Sequence, residues 1–501
     1  MQPILTASQI KALDAYTITH EPIVSIDLME RACRAFVAWF TERFNNSFTV
    51  GIVCGTGNNG GDGLGIARLL KEWGYPVRVW VVKGGAFESI DYKINFDRLK
   101  HLGGVQIEEI TAAPECSIFS DEDFLIDAIF GTGLSRPVEG IYAKVIACMN
   151  AARGTRVAVD LPSGFMADEP TTGPAVEARY TISFQLPKLA FFFPSSFQYV
   201  GEWTVVDISL NRAFIRQAQT LHFFMDRNDA RSLLRRRSKF DHKGSFGHAL
   251  LVAGSLGKMG AAVLSARATL RSGVGLLTVH APQAGISIVQ TAVPEAMLSI
   301  DAHASVFAGE VQPERYTTIG IGPGLGKASE TVKAFHKLLE NFPHPMVIDA
   351  DALNILGENR ELLHLVPAGS ILTPHPKEFE RLVGPWQNDF ERLEKQKGLA
   401  AQLKSVVVLK GAFTSIAAPD GRTFFNPTGN PGMATGGSGD VLTGILTGLL
   451  AQRYDTLEGA LLGVYLHGFA GDLGAWEKGM DSLIASDIVE FLSGAFARLG
   501  G

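Results

Sequence analysis

Asn430-Pro-Gly-Met-Ala-Thr435-Gly-Gly-Ser-Gly-Asp440-Val-Leu-Thr-Gly-Ile-Leu-Thr-Gly-Leu-Leu450 is a glycine-rich turn that runs without a break into an apolar helix. The first N–H groups of a helix have no intrahelical partner, and glycines let a backbone close around a ligand. Gly437 to Gly439 therefore predict an amide-lined anion pocket at a helix N-terminus. Asp440 stands beside it, either as a charge partner for the helix dipole or as a catalytic group, and the surrounding glycines with Thr435 favour catalysis. No Gly-x4-Gly-Lys-Ser/Thr occurs anywhere, which excludes a P-loop nucleotide hydrolase.

The same punctuation, a short β-branched run, then glycine, then a helical stretch, recurs along the 501 residues and marks α/β units with parallel strands. In the second half the predicted strands are 248–253, 276–280, 317–321, 346–349, 370–372, 406–409 and 414–418. In the first half they are 49–54, 77–82, 124–130, 156–160, 180–185 and 202–208, with a helix over 64–73. A single core stops growing near ~250–300 residues, so two domains are expected. The polar stretch 211–222 shows no strand pattern. Domains at 1–213 and 223–501, joined by a linker at 214–222, are the expected organisation.

Hydrophobic residues make up 46% and charged residues 19% of the chain, with a formal net charge of −6. That balance predicts a soluble protein without a cationic field for nucleic acid or membrane, and favours small-molecule chemistry. Arg235, Arg236 and Arg237 read as a solvated helix end or an interdomain surface. Cys33, Cys54, Cys116 and Cys148 lack CxxC spacing and are expected to be buried thiols, which with the absence of an export signal points to the cytoplasm. The apolar run Phe191-Phe-Phe-Pro is expected to be core, with a subunit contact as the other reading.

In the first half, Cys54-Gly-Thr-Gly-Asn-Asn-Gly-Gly-Asp-Gly satisfies G-x-G-x-x-G through Gly55, Gly57 and Gly60. The acidic residue that should hold a ribose at the end of the next strand is missing from Arg78-Val-Trp-Val-Val-Lys83, so a hydride-transferring dinucleotide domain is disfavoured. Two further strand ends carry polar groups to the same edge: Asp127 with the loop Gly131-Thr-Gly-Leu-Ser-Arg-Pro137, and Asp160-Leu-Pro-Ser163-Gly. Singly each reads as a turn or cap; together they read as a site. In the second half, Ile319-Gly-Ile-Gly-Pro-Gly-Leu-Gly326, Leu372-Thr-Pro-His375-Pro and Val408-Leu-Lys410-Gly-Ala-Phe-Thr414 are likewise strand ends. His375 is set in a proline-stiffened loop, and Lys410 with Thr414 suits a nucleotide phosphate. No His, Cys and Asp cluster has zinc spacing.

GNNGGDG, IDAIFGTGLSRPVEG, VDLPSG and TISFQLPKLAFFFPSSFQYVGEW together resemble the NAD(P)H-hydrate epimerase family. AGSLGKMGAA, GIGPGLG, VIDADALNIL, LTPHPKEFERL, VLKGAFT and NPTGNPGMATGGSGDVLTG resemble the ADP-dependent NAD(P)H-hydrate dehydratases. The resemblance implies an α/β chain of two domains, an N-terminal Rossmann-like three-layer sandwich and a C-terminal ribokinase-like domain. It implies that Asn58, Asn59, Gly60, Gly61 and Asp62 contact the hydrate, and that Gly131, Thr132, Gly133, Leu134, Ser135, Arg136 and Pro137 embrace its phosphates. Asp160 would be the acid/base at C6, and Asn59, Asp127 and Ser163 would hold K+. In the second half it implies Ala261, Gly324, His375 and Asp440 at the hydrate, with Asp440 as base. Lys410, Gly411, Ala412, Phe413, Thr414 and Gly439 would bind the nucleotide, ADP or ATP, with Mg2+. Hydrated NADH and NADPH are the expected substrates and a homo-oligomer the expected assembly. The rival expectation is a ribokinase-type small-molecule kinase with a non-catalytic N-terminal binding module.

Overall fold

The computed structural model describes residues 1–134 and 136–501, which form two compact units. One comprises Pro3–Thr220, and the other Leu221–Gly501 together with Met1 and Gln2. Around the expected linker 214–222 the chain is structured: Arg212–Gln217, in the first unit, is helical and capped by the Asn211 side chain, and a strand of the second starts at His222. Among the described residues no helix is long and apolar enough to cross a membrane.

The chain starts with a two-residue strand, β1 (Gln2–Pro3), that belongs to the second unit's sheet. The first unit's sheet contains β2 (Val50–Cys54), β3 (Val77–Val82), β4 (Gln106–Ile110), β5 (Phe124–Ala128), β6 (Thr155–Val159), β7 (Tyr180–Phe184) and β8 (Glu202–Val206). Their order is β4-β3-β2-β5-β6-β7-β8 and every pair is parallel. Alternation along β2 sends Val50, Ile52 and Cys54 into the core cluster with Phe36, Leu64 and Leu70, while Val53 joins Val145, Ile146 and Met149 on the opposite face. Helices therefore cover both faces, and the direction of strand addition reverses between β2 and β5. That reversal is where open α/β sheets form a crevice. Phe191, Phe192 and Phe193 are buried in this unit's core.

Two expectations need correction here. The helix expected over 64–73 begins at Asn58 and ends at Glu72, so GNNGGDG is the helix's first two turns and not a preceding loop. At Gly60 an added Cβ would lie 1.9 Å from the Gly55 carbonyl oxygen, so the turn and helix touch through bare backbone. Of the four cysteines only Cys33 and Cys54 are free and buried; Cys116 and Cys148 form a disulfide. The short turn Cys116–Phe119 packs on the helix Gly140–Ala151, a tertiary contact that residue spacing does not encode.

The second unit holds β9 (His222–Phe224), β10 (His248–Val252), β11 (Leu276–Ala281), β12 (Met297–Ile300), β13 (Thr318–Ile321), β14 (Met346–Ile348), β15 (Ile371–Leu372), β16 (Val406–Leu409), β17 (Ser415–Ala417) and β18 (Thr423–Phe425). The order is β1-β9-β18-β17-β16-β15-β14-β13-β10-β11-β12. Strands β10 to β16 pair in parallel, and β17 runs antiparallel to both β16 and β18. One face is covered by the helices Ser438–Ala451, Thr456–Lys478 and Ala485–Gly500, the other by Ser329–Asn341, Ala350–Glu358 and Asp389–Leu403. The Ser438–Ala451 helix is buried on all sides from Val441 onward, which explains its unbroken apolar sequence. Gly444 and Gly448 let it press against the Met259–Arg271 helix: an added Cβ at Gly444 would lie 2.2 Å from the Ser265 carbonyl oxygen. Gly444→Ala should therefore cost about 1–3 kcal/mol through overpacking and lower the second unit's melting transition by several degrees, measured by calorimetry.

Candidate active sites in the two units

Parallel pairing sets Val53 of β2 opposite Asp127 of β5, and Asp127 opposite Ala158 of β6, so three carboxyl-terminal strand ends adjoin in the first unit. Asp127 is fully buried, and its two oxygens accept the Ser163 hydroxyl at 2.5 Å and the Ser163 N–H at 2.6 Å. Burial pushes its carboxyl up to about 6, against the pull of those hydrogen bonds. The Ser163 hydroxyl oxygen also accepts the Phe130 N–H at 2.8 Å, which clamps the turn after β5 to the turn after β6. Asn59 reaches the same turn, lying in contact range of Gly131, and its buried amide nitrogen has no partner among the described residues. The amide, carboxylate and hydroxyl oxygens are hard donors, while the unsatisfied amide N–H calls for an acceptor from outside the protein.

Asp160 leaves β6 in the left-handed region with φ of +64°, conformational strain that recurs at functional sites. Its Oδ1 accepts Lys188 Nζ at 2.7 Å, the Phe184 N–H at 3.0 Å and the Ser183 hydroxyl at 3.4 Å. Lys188 is fully buried and also donates to Ser183 Oγ and the Leu186 carbonyl. With Oδ1 saturated, Oδ2 is the oxygen left for a ligand. Asp14, on the Ala7–His20 helix, is pushed up to about 7 by burial and then by Asp160, with Lys188 pulling the other way. Asp62 is raised by burial and by Asp160, Asp14 and Asp91. Carboxylates here crowd around one buried lysine, a setting suited to proton transfer near neutral pH.

In the second unit Gly437, at φ of +93°, caps the Ser438–Ala451 helix, and Asp440 occupies its first turn. Burial, then Asp349, raise the Asp440 carboxyl to about 6, while Lys410 lowers it. Asp349 ends β14 fully buried: Oδ1 takes Lys410 Nζ at 2.8 Å and Oδ2 the Thr443 hydroxyl at 2.6 Å. Lys410 Nζ would lie 3.4 Å from a Cβ at Gly439, so the ammonium faces the glycine turn directly. The turn is held from behind by His467, whose Nε2 lies 2.9 Å from the Ser438 carbonyl. Burial drops His467 to about 4, so it is neutral and serves as a donor there.

The structure brings Ala261 and Gly324 into contact, with an added Gly324 Cβ 3.0 Å from Ala261 Cβ. Asp351 ties their segments together by accepting Lys258 Nζ at 3.3 Å and the Gly326 N–H at 2.8 Å. His375 is held by capping: its Nδ1 accepts the Lys377 and Glu378 N–H groups at the start of the Pro376–Val383 helix. Glu378, raised to about 7 by burial, lies 3.3 Å from His375 Nε2 and 4.0 Å from Lys410. Lys410 donates its N–H to Pro374, and Gly411 to Thr414 form the turn between β16 and β17, closed by the Thr414 hydroxyl. In the first unit Asn58 to Asp62 open the helix after β2, and Thr132, Gly133, Leu134, Arg136 and Pro137 follow β5; Ser135 lies outside the described residues. Sequence reasoning missed Lys188, Asp349, Glu378 and Asp14. The first three sit inside motifs already singled out, where a charged residue within an apolar strand-end context was the available signal.

Residues 249–493 match the family described as NAD(P)H-hydrate dehydratase, and residues 25–190 the family described as YjeF-related protein N-terminus. A bifunctional NAD(P)H-hydrate repair enzyme from Moorella thermoacetica is 36% identical over 98% of this chain and 96% of its own length. Its counterpart from Coxiella burnetii is 35% identical over 97% of each chain. The crystal structure of ADP/ATP-dependent NAD(P)H-hydrate dehydratase from Bacillus subtilis, co-crystallised with ATP and Mg2+, is 35% identical and covers 55% of this chain and 98% of that one, with a TM-score of 0.49. With one site on the parallel-sheet edge of each unit and relatives above 30% identity along almost the whole length, the chain belongs to the family of bifunctional NAD(P)H-hydrate repair enzymes.

Proposed function

We propose that the first unit interconverts the C6 epimers of hydrated NADH and NADPH, and that the second dehydrates the S epimer at the expense of a nucleotide. The observation that carries the reading is Asp440, a carboxylate at the mouth of an amide-lined helix N-terminus with Lys410 facing the same turn. Hydroxide is a poor leaving group and phosphate a good one. Asp440 takes the proton of the C6 hydroxyl as that oxygen attacks the terminal phosphorus, and the bond to the departing nucleotide breaks. The ester then leaves C6 as inorganic phosphate while a C5 proton departs, and the ring double bond returns. Gly437 to Gly439 and Lys410 receive the charge on the transferring group, and the Gly411–Thr414 turn holds the nucleotide. Mg2+, when bound with the nucleotide, neutralises phosphate charge.

In the first unit, Asp160 Oδ2 gives a proton to the C6 hydroxyl as the C6–O bond breaks and the N1 lone pair forms C6=N1, then takes a proton from the water that re-adds to the opposite face of C6, with Lys188 fixing the carboxyl group through Oδ1. Asn59, Asp127 and Ser163 supply one amide, one carboxylate and one hydroxyl oxygen, a donor set that fits K+, while the Asn59 amide N–H, unpartnered among the described residues, suits an acceptor oxygen of the substrate. A monovalent cation in that place would counter the substrate's phosphate charge. The compartment this chemistry calls for is the cytoplasm, where reduced dinucleotides are kept.

Asp440→Asn should abolish dehydration of both epimers, with a loss of about 10²–10⁴-fold, whereas Asp160→Asn should leave one epimer consumed and the other stalled. Recovery of reduced-nicotinamide absorbance from a mixed-epimer sample checks this; a stable phosphate ester would instead identify a kinase. Because the base must be ionised, kcat/KM for dehydration should fall as pH drops through about 6. Asp349→Asn removes a negative neighbour and should move that limb to lower pH; an unmoved limb would assign it to another group. Lys188→Met should cost about 3–5 kcal/mol in the first unit by leaving Asp160 without its buried counter-charge, read from denaturant unfolding.

A further inference from the structure

Away from both sites, a cavity of about 550 Å³ opens in the second unit, lined by Arg231, Arg235, Arg236, Arg237 and Arg271 beside Tyr454 and Phe496. It lies where the helices Met259–Arg271, Ser438–Ala451 and Ala485–Gly500 end, since Ser272, Gly273, Gln452 and Gly500 also line it. The Ser438–Ala451 helix puts it about 20 Å from Asp440, at 1.5 Å rise per residue. No acidic side chain contributes to the lining.

Part of the arginine complement has a plain structural task. Arg231 donates to the Gly501 carbonyl at 3.2 Å, Arg235 to Arg453 at 3.0 Å, and Arg237 to Gly273, so these three satisfy carbonyls at chain turns and helix ends. Arg235 and Arg237 are further fixed over the rings of Tyr454 and Phe246. That task does not account for the rest. Arg236 and Arg271 make no hydrogen bond or ion pair among the described residues, yet both face the cavity. Each helix end carries about half a negative charge; even with the terminal carboxylate and Glu458 counted, five guanidinium groups leave an excess of about one to two positive charges. Arg231, Arg235 and Arg237 are fixed as part of the wall, which leaves the forks of Arg236 and Arg271 for planar, two-point recognition of phosphoryl oxygens. The volume lies in the range of small-molecule sites, and the cavity is open to solvent.

We propose that this cavity is a second anion site, taking a small molecule with two or more phosphoryl groups, with Arg236 and Arg271 as its primary contacts. Titrating the full-length protein calorimetrically with inorganic pyrophosphate tests it. Wild type should take up two equivalents, one at the Gly437–Gly439 turn and one here. Arg236→Glu combined with Arg271→Glu should lose one equivalent, or weaken it at least tenfold, while melting temperature, dehydration kcat and nucleotide KM stay unchanged. Both side chains are exposed, so the fold does not depend on them. Equal stoichiometry and affinity in wild type and variant would overturn the proposal. So would a variant that changes particle mass on size-exclusion chromatography with pyrophosphate uptake intact, since the cavity would then receive an acidic segment of a second copy. Absence of dehydration by wild type would overturn the repair reading alone, since pyrophosphate uptake at Arg236 and Arg271 is read without turnover.

Discussion

Parallel strand pairing is the constraint on which both sites depend. When strands run the same way, every carboxyl-terminal end reaches one edge of the sheet, and the turns that follow are forced together whatever their separation in sequence. Asp127 and Ser163 lie 36 residues apart, yet Asp127 accepts two hydrogen bonds from Ser163, and Asp349 and Lys410 lie 61 apart yet form an ion pair. The sheet delivers the functional groups, and the buried apolar faces beneath them fix where the edge stands.

The two units use that edge with opposite electrostatics. In the first, a wholly buried lysine neutralises Asp160 and locks one of its oxygens, so the carboxylate is oriented before substrate arrives. In the second, the lysine is given to Asp349, and Asp440 is left half-buried beside that pair with its proton affinity raised. One arrangement favours a fixed proton carrier. The other favours a base that lets go of its proton only around neutral pH, next to amides waiting for negative charge.

Much of this was legible in the residues. The strand expected at 406–409 coincides with β16, because a strand buried on both faces must be continuously apolar, and 77–82 coincides with β3, whose Val-Trp-Val-Val end is buried likewise. Of the edge strands, β8 matches the expected 202–208, whereas β4 and β12 were not legible: β4 reads Gln-Ile-Glu-Glu-Ile and β12 is half-solvated, so neither carries that pattern. Asp440, Asp160 and the glycine turns were visible because their chemistry is local. Lys188, Asp349 and the Cys116–Cys148 pairing were not, since each acquires its role from a partner that only the fold supplies.

The first two residues of the chain count with its second half, with β1 laid along β9 at the end of the eleven-stranded sheet and the Met1 amine on Asp229. Excising that half at Leu221 would strip β9 of its only outer neighbour and leave a bare row of amides and carbonyls, an invitation to intermolecular stacking. A recombinant fragment meant to report on nucleotide-driven dehydration alone would keep its edge sealed by carrying a short donated strand, or by a lysine placed on β9 facing outward.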